Sequence, residues 1–278
     1  MQAAAHIPPL WVEAAPPLPV AALAVGRPVA EVAALLPRLF NLCRAAQGAA
    51  VRLALDLPAE GPGPEQEIAR DHMLKLAVTL PARLGLPTLP MDRAALIGGM
   101  PDTPRDFSRW LASGRGAAPL LARIADLFAP GEATAQLPLV TPETALSPQP
   151  LENSTAARQA EHPLMRYVAA AWGRGPMWRV LARLVDLTAP LPAPRKIAIG
   201  TAIAPAARGI YAVAASQAGG IVTAFERRTP TDHLLAPGGV MDRCLASLPT
   251  LKRGLAPLLL DILDPCCKVT LQGGADHA

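Results

Sequence analysis

Between residues 29 and 55 the apolar side chains recur at three- and four-residue steps. Val32, Leu35, Leu36, Leu39, Phe40, Cys43 and Ala46 share one stripe, with Glu31, Arg38 and Arg44 off it. That period predicts an amphipathic central helix over 30–55, kinked or restarted by Pro37, with Cys43 on or beside its apolar face. Residues 58–64 break the chain, and 65–84 read as a second helix with Glu67, Asp71 and Lys75 at i, i+4 spacing on its outer side. Further helices are expected at 94–98, at 107–128 with Asp106 as a cap, and at 164–187. After Pro194 the pattern turns β-like over 197–203, 209–215 and 221–226, and Gly219-Gly220 predicts the reversal of a hairpin. A last helix over 245–263, interrupted at Pro249 and Pro257, runs into Asp264-Pro265-Cys266-Cys267 and a short Gly-rich end.

These elements predict an α+β, mainly α-helical chain with a C-terminal β-hairpin region. Residues 1–25 are Pro-interrupted and without a lasting period, so they read as an irregular leader. Residues 26–278 read as a single domain: a helical part over 26–130, a Pro-rich loop over 130–155, and a part over 156–278 carrying helix, hairpin and C-terminal motif.

Composition narrows the classes. In 278 residues, 51% hydrophobic and 17% charged content is too apolar for a disordered chain and too lightly charged for a coiled coil. Basic residues exceed acidic ones, 26 to 22, but the four lysines (Lys75, Lys196, Lys252, Lys268) and the arginines are dispersed, and aromatics are only 4%. A nucleic-acid partner is therefore not expected. No run reaches the roughly 20 apolar residues of a membrane helix, and the first residues lack the layout of a secretory signal, so a cytoplasmic protein without a membrane partner is expected. In that reducing compartment Cys43, Cys244, Cys266 and Cys267 are expected as free, reactive or metal-bound thiols.

Three segments carry candidate chemistry. Cys43 stands between Arg38 and Arg44, and nearby cations favour the thiolate that ligates metals. Arg208, before Gly209, can aim a fixed fork of donors at the mouth of the hairpin. Asp264 precedes the adjacent thiols Cys266 and Cys267. Read singly, each has a plain structural reading: a free cysteine is often a small core residue, an arginine ends a strand, and Asp-Pro marks a turn. His72 reads as a structural interfacial histidine, and His6, His162 and His277 as surface residues.

In their order and chain positions the three segments resemble the large subunit of nickel–iron hydrogenases. That family carries an R-x-C-x-x-C motif, an A-[PA]-R-G segment followed by a P-T step, and a C-terminal D-P-C-x-x-C motif. Arg38 and Cys43 match the first, with Phe40 where its first Cys belongs; Ala206-Ala207-Arg208-Gly209 and Pro230-Thr231 match the second. Asp264-Pro265-Cys266 matches the third, but Val269 stands at its last Cys position and Cys267 lies beside Cys266. Two of the four thiolate positions are thus lost. The resemblance implies no hydrogenase activity and no nickel, and a non-enzymatic relative of the HupK/HoxV-type accessory proteins of hydrogenase maturation. It implies a large-subunit-like helical core and an iron cargo, the Fe(CN)2CO fragment, held by Cys43 with Cys266 or Cys267. Arg208, Thr231 and Asp264 would surround the diatomic ligands, and the partners would be maturation proteins and the hydrogenase large subunit. Two other readings stand beside it: a metal-free interaction protein that mimics the large subunit to recruit maturation factors, and a thiol-redox enzyme using Cys266 and Cys267.

Overall fold

The β-like stretch after Pro194 forms a four-stranded antiparallel meander in the computed structural model, which describes residues 8–40 and 42–273. The strands β2 (Arg195–Ala198), β3 (Thr201–Ala206), β4 (Gly209–Ala218) and β5 (Ile221–Arg228) lie in that order, and β4 and β5 reverse at Gly219-Gly220 as expected. Two more strands, β1 (Trp11–Ala14) and β6 (Val269–Gln272), pair antiparallel, Ala14 opposite Val269. The helices are α1 (Val20–Ala24), α2 (Val29–Leu39), α3 (Arg44–Ala54), α4 (Pro64–Leu74), α5 (Leu80–Arg83), α6 (Arg93–Ile97), α7 (Phe107–Leu111) and α8 (Ala118–Leu127). After the loop come α9 (Thr155–Arg158), α10 (Pro163–Trp172), α11 (Pro176–Thr188), α12 (Pro230–Leu234), α13 (Val240–Ala246) and α14 (Ala256–Leu263). This is an α+β chain.

Two large apolar clusters organise it. In one, Ala46, Ala50 and Ala54 of α3 lie against Ala202, Ala204 and Ala206 of β3. Alanines on both surfaces let the helix lie close to the sheet, and α2 extends the same cover. In the other, helices pack around α11, which is buried from Pro176 to Leu187, Arg179, Arg183 and Asp186 included. The central helix is therefore α11, and not 30–55.

Several expected boundaries shift. The predicted helix over 30–55 is two helices: Pro37 is accommodated inside α2, and the break comes at 40–43, where Phe40 is extended and Cys43 takes φ +57°. The helices fold back so that Pro37 would lie 3.3 Å from a Cβ at Gly48. Residues 8–25 are not irregular, because β1 finds its partner at the other end of the chain and α1 packs on β5. The helical run after Pro64 passes through a π-helical turn at Lys75–Thr79. Residues 107–128 divide into α7 and α8, and Asp106 bonds Arg109 rather than capping α7 with its side chain. Pro257 sits in the first turn of α14, where its missing N–H costs nothing, and does not interrupt it. The Pro-rich 130–155 stretch is a loop, but it runs inward: Ala133, Ala135, Ala145, Leu151 and Glu152 are buried. Residues 1–7, His6 among them, Asn41 and the Gly-rich end from 274, with His277, lie outside the described residues.

Candidate functional site

The site is built on the tight turn between β3 and β4. Gly209 has φ +144°, and a methyl there would collide with the Oδ1 and carbonyl of Asn153. Asn153 clamps the next residue from both sides, its Nδ2 donating to Ile210 O at 2.9 Å and its Oδ1 accepting from Ile210 N at 2.7 Å. Thr155 Oγ1 donates to Ala207 O at 2.7 Å, and Arg158 Nη1 donates to the carbonyls of Ala206 and Gly209. The inward-running loop thus fixes the backbone that presents Arg208.

Arg208 Nε donates to Asp264 O at 2.9 Å, and Nη2 reaches Asp264 Oδ2 at 3.0 Å and Asp71 Oδ1 at 3.4 Å. Its Nη1 faces Cys43 Sγ at 3.8 Å. Asp264 closes α14 in the left-handed conformation, φ +55°, and receives Lys75 at 2.8 Å and Arg183 at 2.9 Å. Burial would raise its carboxyl, but Arg183, Arg208 and Lys75 outweigh that and hold it at about 2. Glu67, Asp71 and Lys75 are therefore not on an outer face. Glu67 Oε2 accepts from Ala45 N at the start of α3, Asp71 joins Arg208 to Arg183, and Lys75 meets Asp264.

Cys43 is half-buried at the start of α3, and Cys266 and Cys267 follow the α14 terminus. Burial pushes the Cys43 thiol up to about 11; the cation that opposes this is Arg208, not the flanking Arg38 or Arg44. The expected thiolate is thus overruled by desolvation. The Cys266 amide donates to the Oγ1 of buried Thr231 at 2.9 Å, and Thr231 sits in α12, whose start is closed by a capping box of Thr229 and Asp232. Cys43, Cys266, Cys267, Arg208 and Thr231 line one cavity of about 710 Å³. Asp264 does not line it; it lies behind Arg208 and holds it. The segment Ala14–Leu18 also lines the cavity, clasped to the thiol segment where Ala15 N donates to Lys268 O at 2.9 Å.

The residues that motif reasoning missed are Gln47, Tyr211, Arg227 and Arg228, which line the same cavity. The Arg227 guanidinium lies 4.5 Å from the centroid of the Phe40 ring. Gln47 Oε1 and Arg228 Nε are buried with no hydrogen-bond partner among the described residues; the Tyr211 oxygen stands beside Arg227 with no acceptor for its O–H among them, and burial pushes its phenol up to about 12. The only available signal was position: Tyr211 follows the turn by two residues on a strand, and Arg227-Arg228 precedes Thr229-Pro230-Thr231. His72, by contrast, is a buried structural residue. Arg183 Nη1 donates to its Nδ1 at 3.1 Å, so Nε2 carries the proton and donates to Asp186 at 2.8 Å. His162 accepts from Leu164 N at the start of α10.

Among the described residues no group of three or more His, Cys, Asp or Glu side chains is placed to hold a metal ion. None of their helices is long and apolar enough to cross a membrane. No family model matches the chain. It is 52% identical, over 267 residues spanning 92% of this chain and 90% of the other, to a hydrogenase expression/formation protein HupK of Rhodobacter capsulatus.

Proposed function

The chain belongs to the HupK family of hydrogenase expression/formation proteins, and from that premise we propose that it is a non-catalytic cytoplasmic carrier in hydrogenase maturation. Its cargo is the Fe(CN)2CO fragment, held by Cys43 with Cys266 or Cys267 and passed to the hydrogenase large subunit. The observation that supports this reading is the meeting of three thiols from two distant parts of the chain, Cys43 and the adjacent Cys266 and Cys267, around one cavity. An iron that arrives with three diatomic ligands needs few protein donors, so two thiolates serve where a bare ion would demand a larger set. The Phe40 ring offers no ligand, and the Arg227 charge above it repels a second cation such as nickel. Thr231 holds the Cys266 backbone in place, and Arg208 and Asp264 brace the wall beside Cys43.

The test is infrared spectroscopy of protein purified without oxygen from cells that make the cofactor. Cyanide and carbonyl bands with stoichiometric iron are expected for the parent and for Cys244→Ala, and are lost in Cys43→Ala and Cys266→Ala. Bands unchanged in both of those variants would remove the ligand assignment. A parent without bands or iron would leave the metal-free reading, a large-subunit mimic that recruits maturation factors.

A further inference from the structure

The groups first read as donors to the cargo are engaged elsewhere. Arg208 gives Nε and Nη2 to Asp264 and Asp71 and turns Nη1 to Cys43. Thr231 Oγ1 accepts the Cys266 amide. The donors left open in the cavity belong to Tyr211, Arg227 and Arg228. Tyr211 is 2% exposed; Arg227 stands beside its oxygen, but its O–H has no acceptor among the described residues, and Arg228 Nε has no partner among them although its Nη2 lies 3.7 Å from Glu226 Oε1. A native fold rarely buries such groups unpaired, so they mark a place where a bound group completes the bonding. Arg227 has no ion-pair partner among the described residues; its guanidinium sits over the Phe40 ring and beside the Tyr211 oxygen, and its five N–H donors outnumber what those two neighbours use. Asp232, the acid on the cavity wall, accepts from Thr229 N at 2.7 Å and so is tied to its own helix start.

We infer that Tyr211, Arg227 and Arg228 form an anion-recognising subsite beside the thiols, taking a small anion whose terminal atom accepts hydrogen bonds. Resting on the carrier reading above, that anion is the nitrogen of iron-bound cyanide. A metal-bound cyanide that has lost its water needs donors in exchange, and charged or phenolic donors bind it more strongly than neutral amides. The subsite also gives selectivity: a guanidinium wall attracts a cyanide-bearing fragment and repels a free divalent cation.

The probe is thiocyanate added to the metal-free full chain, followed by its C≡N stretching band. The parent and Cys244→Ala are expected to show a saturable, shifted band. Tyr211→Phe, which removes one oxygen, and Arg227→Gln are each expected to weaken binding roughly tenfold. Far-UV circular dichroism checks that the variants remain folded, and Tyr211→Phe alone suffices if Arg227→Gln does not fold. No saturable shift in the parent, or equal binding by the parent and Tyr211→Phe, would overturn the subsite. Thiocyanate binding that depends on Tyr211 in a protein that never shows iron-carbonyl bands would keep the subsite and remove the carrier reading. Iron-carbonyl bands with Tyr211-independent thiocyanate binding would do the reverse.

Discussion

The hydrogen bond from the Cys266 amide to Thr231 Oγ1 ties an exposed thiol to a buried, capped helix. Without it the segment after Asp264 would keep the β1–β6 clasp but lose its anchor beside the cavity. Thr231→Val keeps the shape and removes the acceptor, whereas Thr231→Ser restores it. The expected outcome is faster hydrogen exchange of the Cys266 amide and, on the carrier reading proposed above, about 10-fold weaker iron retention in Thr231→Val, with both recovered in Thr231→Ser. Equal exchange rates in all three proteins would show that the bond does not position Cys266. The same scale explains a misreading of Cys43. Proximity in sequence suggested Arg38 and Arg44 as its cations, but Cys43 begins a helix in the left-handed conformation and turns toward Arg208 instead. Sequence distance is a poor guide to charge distance at a helix boundary.

Among the elements, the hairpin over 209–226 was legible because Gly219-Gly220 and the alternating residues around it act locally. The break at 40–43 was not, since α2 and α3 both bury apolar faces against the same cluster and the period runs on across the gap. The stripe Glu67, Asp71, Lys75 was read outward because charges default to solvent; the partners that draw it inward, Arg183, Arg208 and Asp264, come from α11, the β3–β4 turn and the α14 terminus. The Pro-rich composition of 130–155 predicted a loop without showing that it runs inward, where Glu152 at its end meets Arg179 of α11 at 2.6 Å, both side chains almost wholly buried. Glu152→Gln leaves the Arg179 charge without its counter-ion, and breaking such a pair costs about 3–5 kcal/mol. Urea unfolding should show that loss in Glu152→Gln. Pairing it with Arg179→Met should recover most of it, because no buried charge then remains uncompensated. A double variant as weak as the single would mean that loop placement, not charge, carries the effect.

Across the whole molecule the site lies where the sheet-centred cluster and the helical cluster meet, with Cys43 packed against the first and Cys266 following the last helix of the second. That seam is joined by charge: Asp71, Lys75, Arg183, Arg208 and Asp264 on one side, and His72, Arg158 and Asp186 continuing it inward. Motif order could point to the thiols at the seam but not to this network, whose members are spread over the chain without a shared pattern. The network sets the pH dependence of folding. Burial lowers the His72 pKa below its ordinary 6.5, and the positive Arg183 and Arg158 add to that effect against the pull of Asp186. Burial lowers His233 in the same direction. Both histidines are thus more readily protonated in the unfolded chain, which binds more protons as pH falls below about 6.5, so stability must fall with it. Burial would raise Asp186, but Arg158 and His72 outweigh it and hold it well below the carboxylate range; its contribution is present above about pH 4 and is lost only on further acidification. The urea midpoint should therefore drop between pH 7.5 and pH 5, before Asp186 or Asp264 takes up a proton. In His72→Gln the amide oxygen can accept from Arg183 and the amide nitrogen can donate to Asp186, while no proton is taken up. That variant should begin less stable at pH 7.5 yet lose less between pH 7.5 and pH 5. An equal drop in parent and variant would show that the seam does not hold His72 neutral.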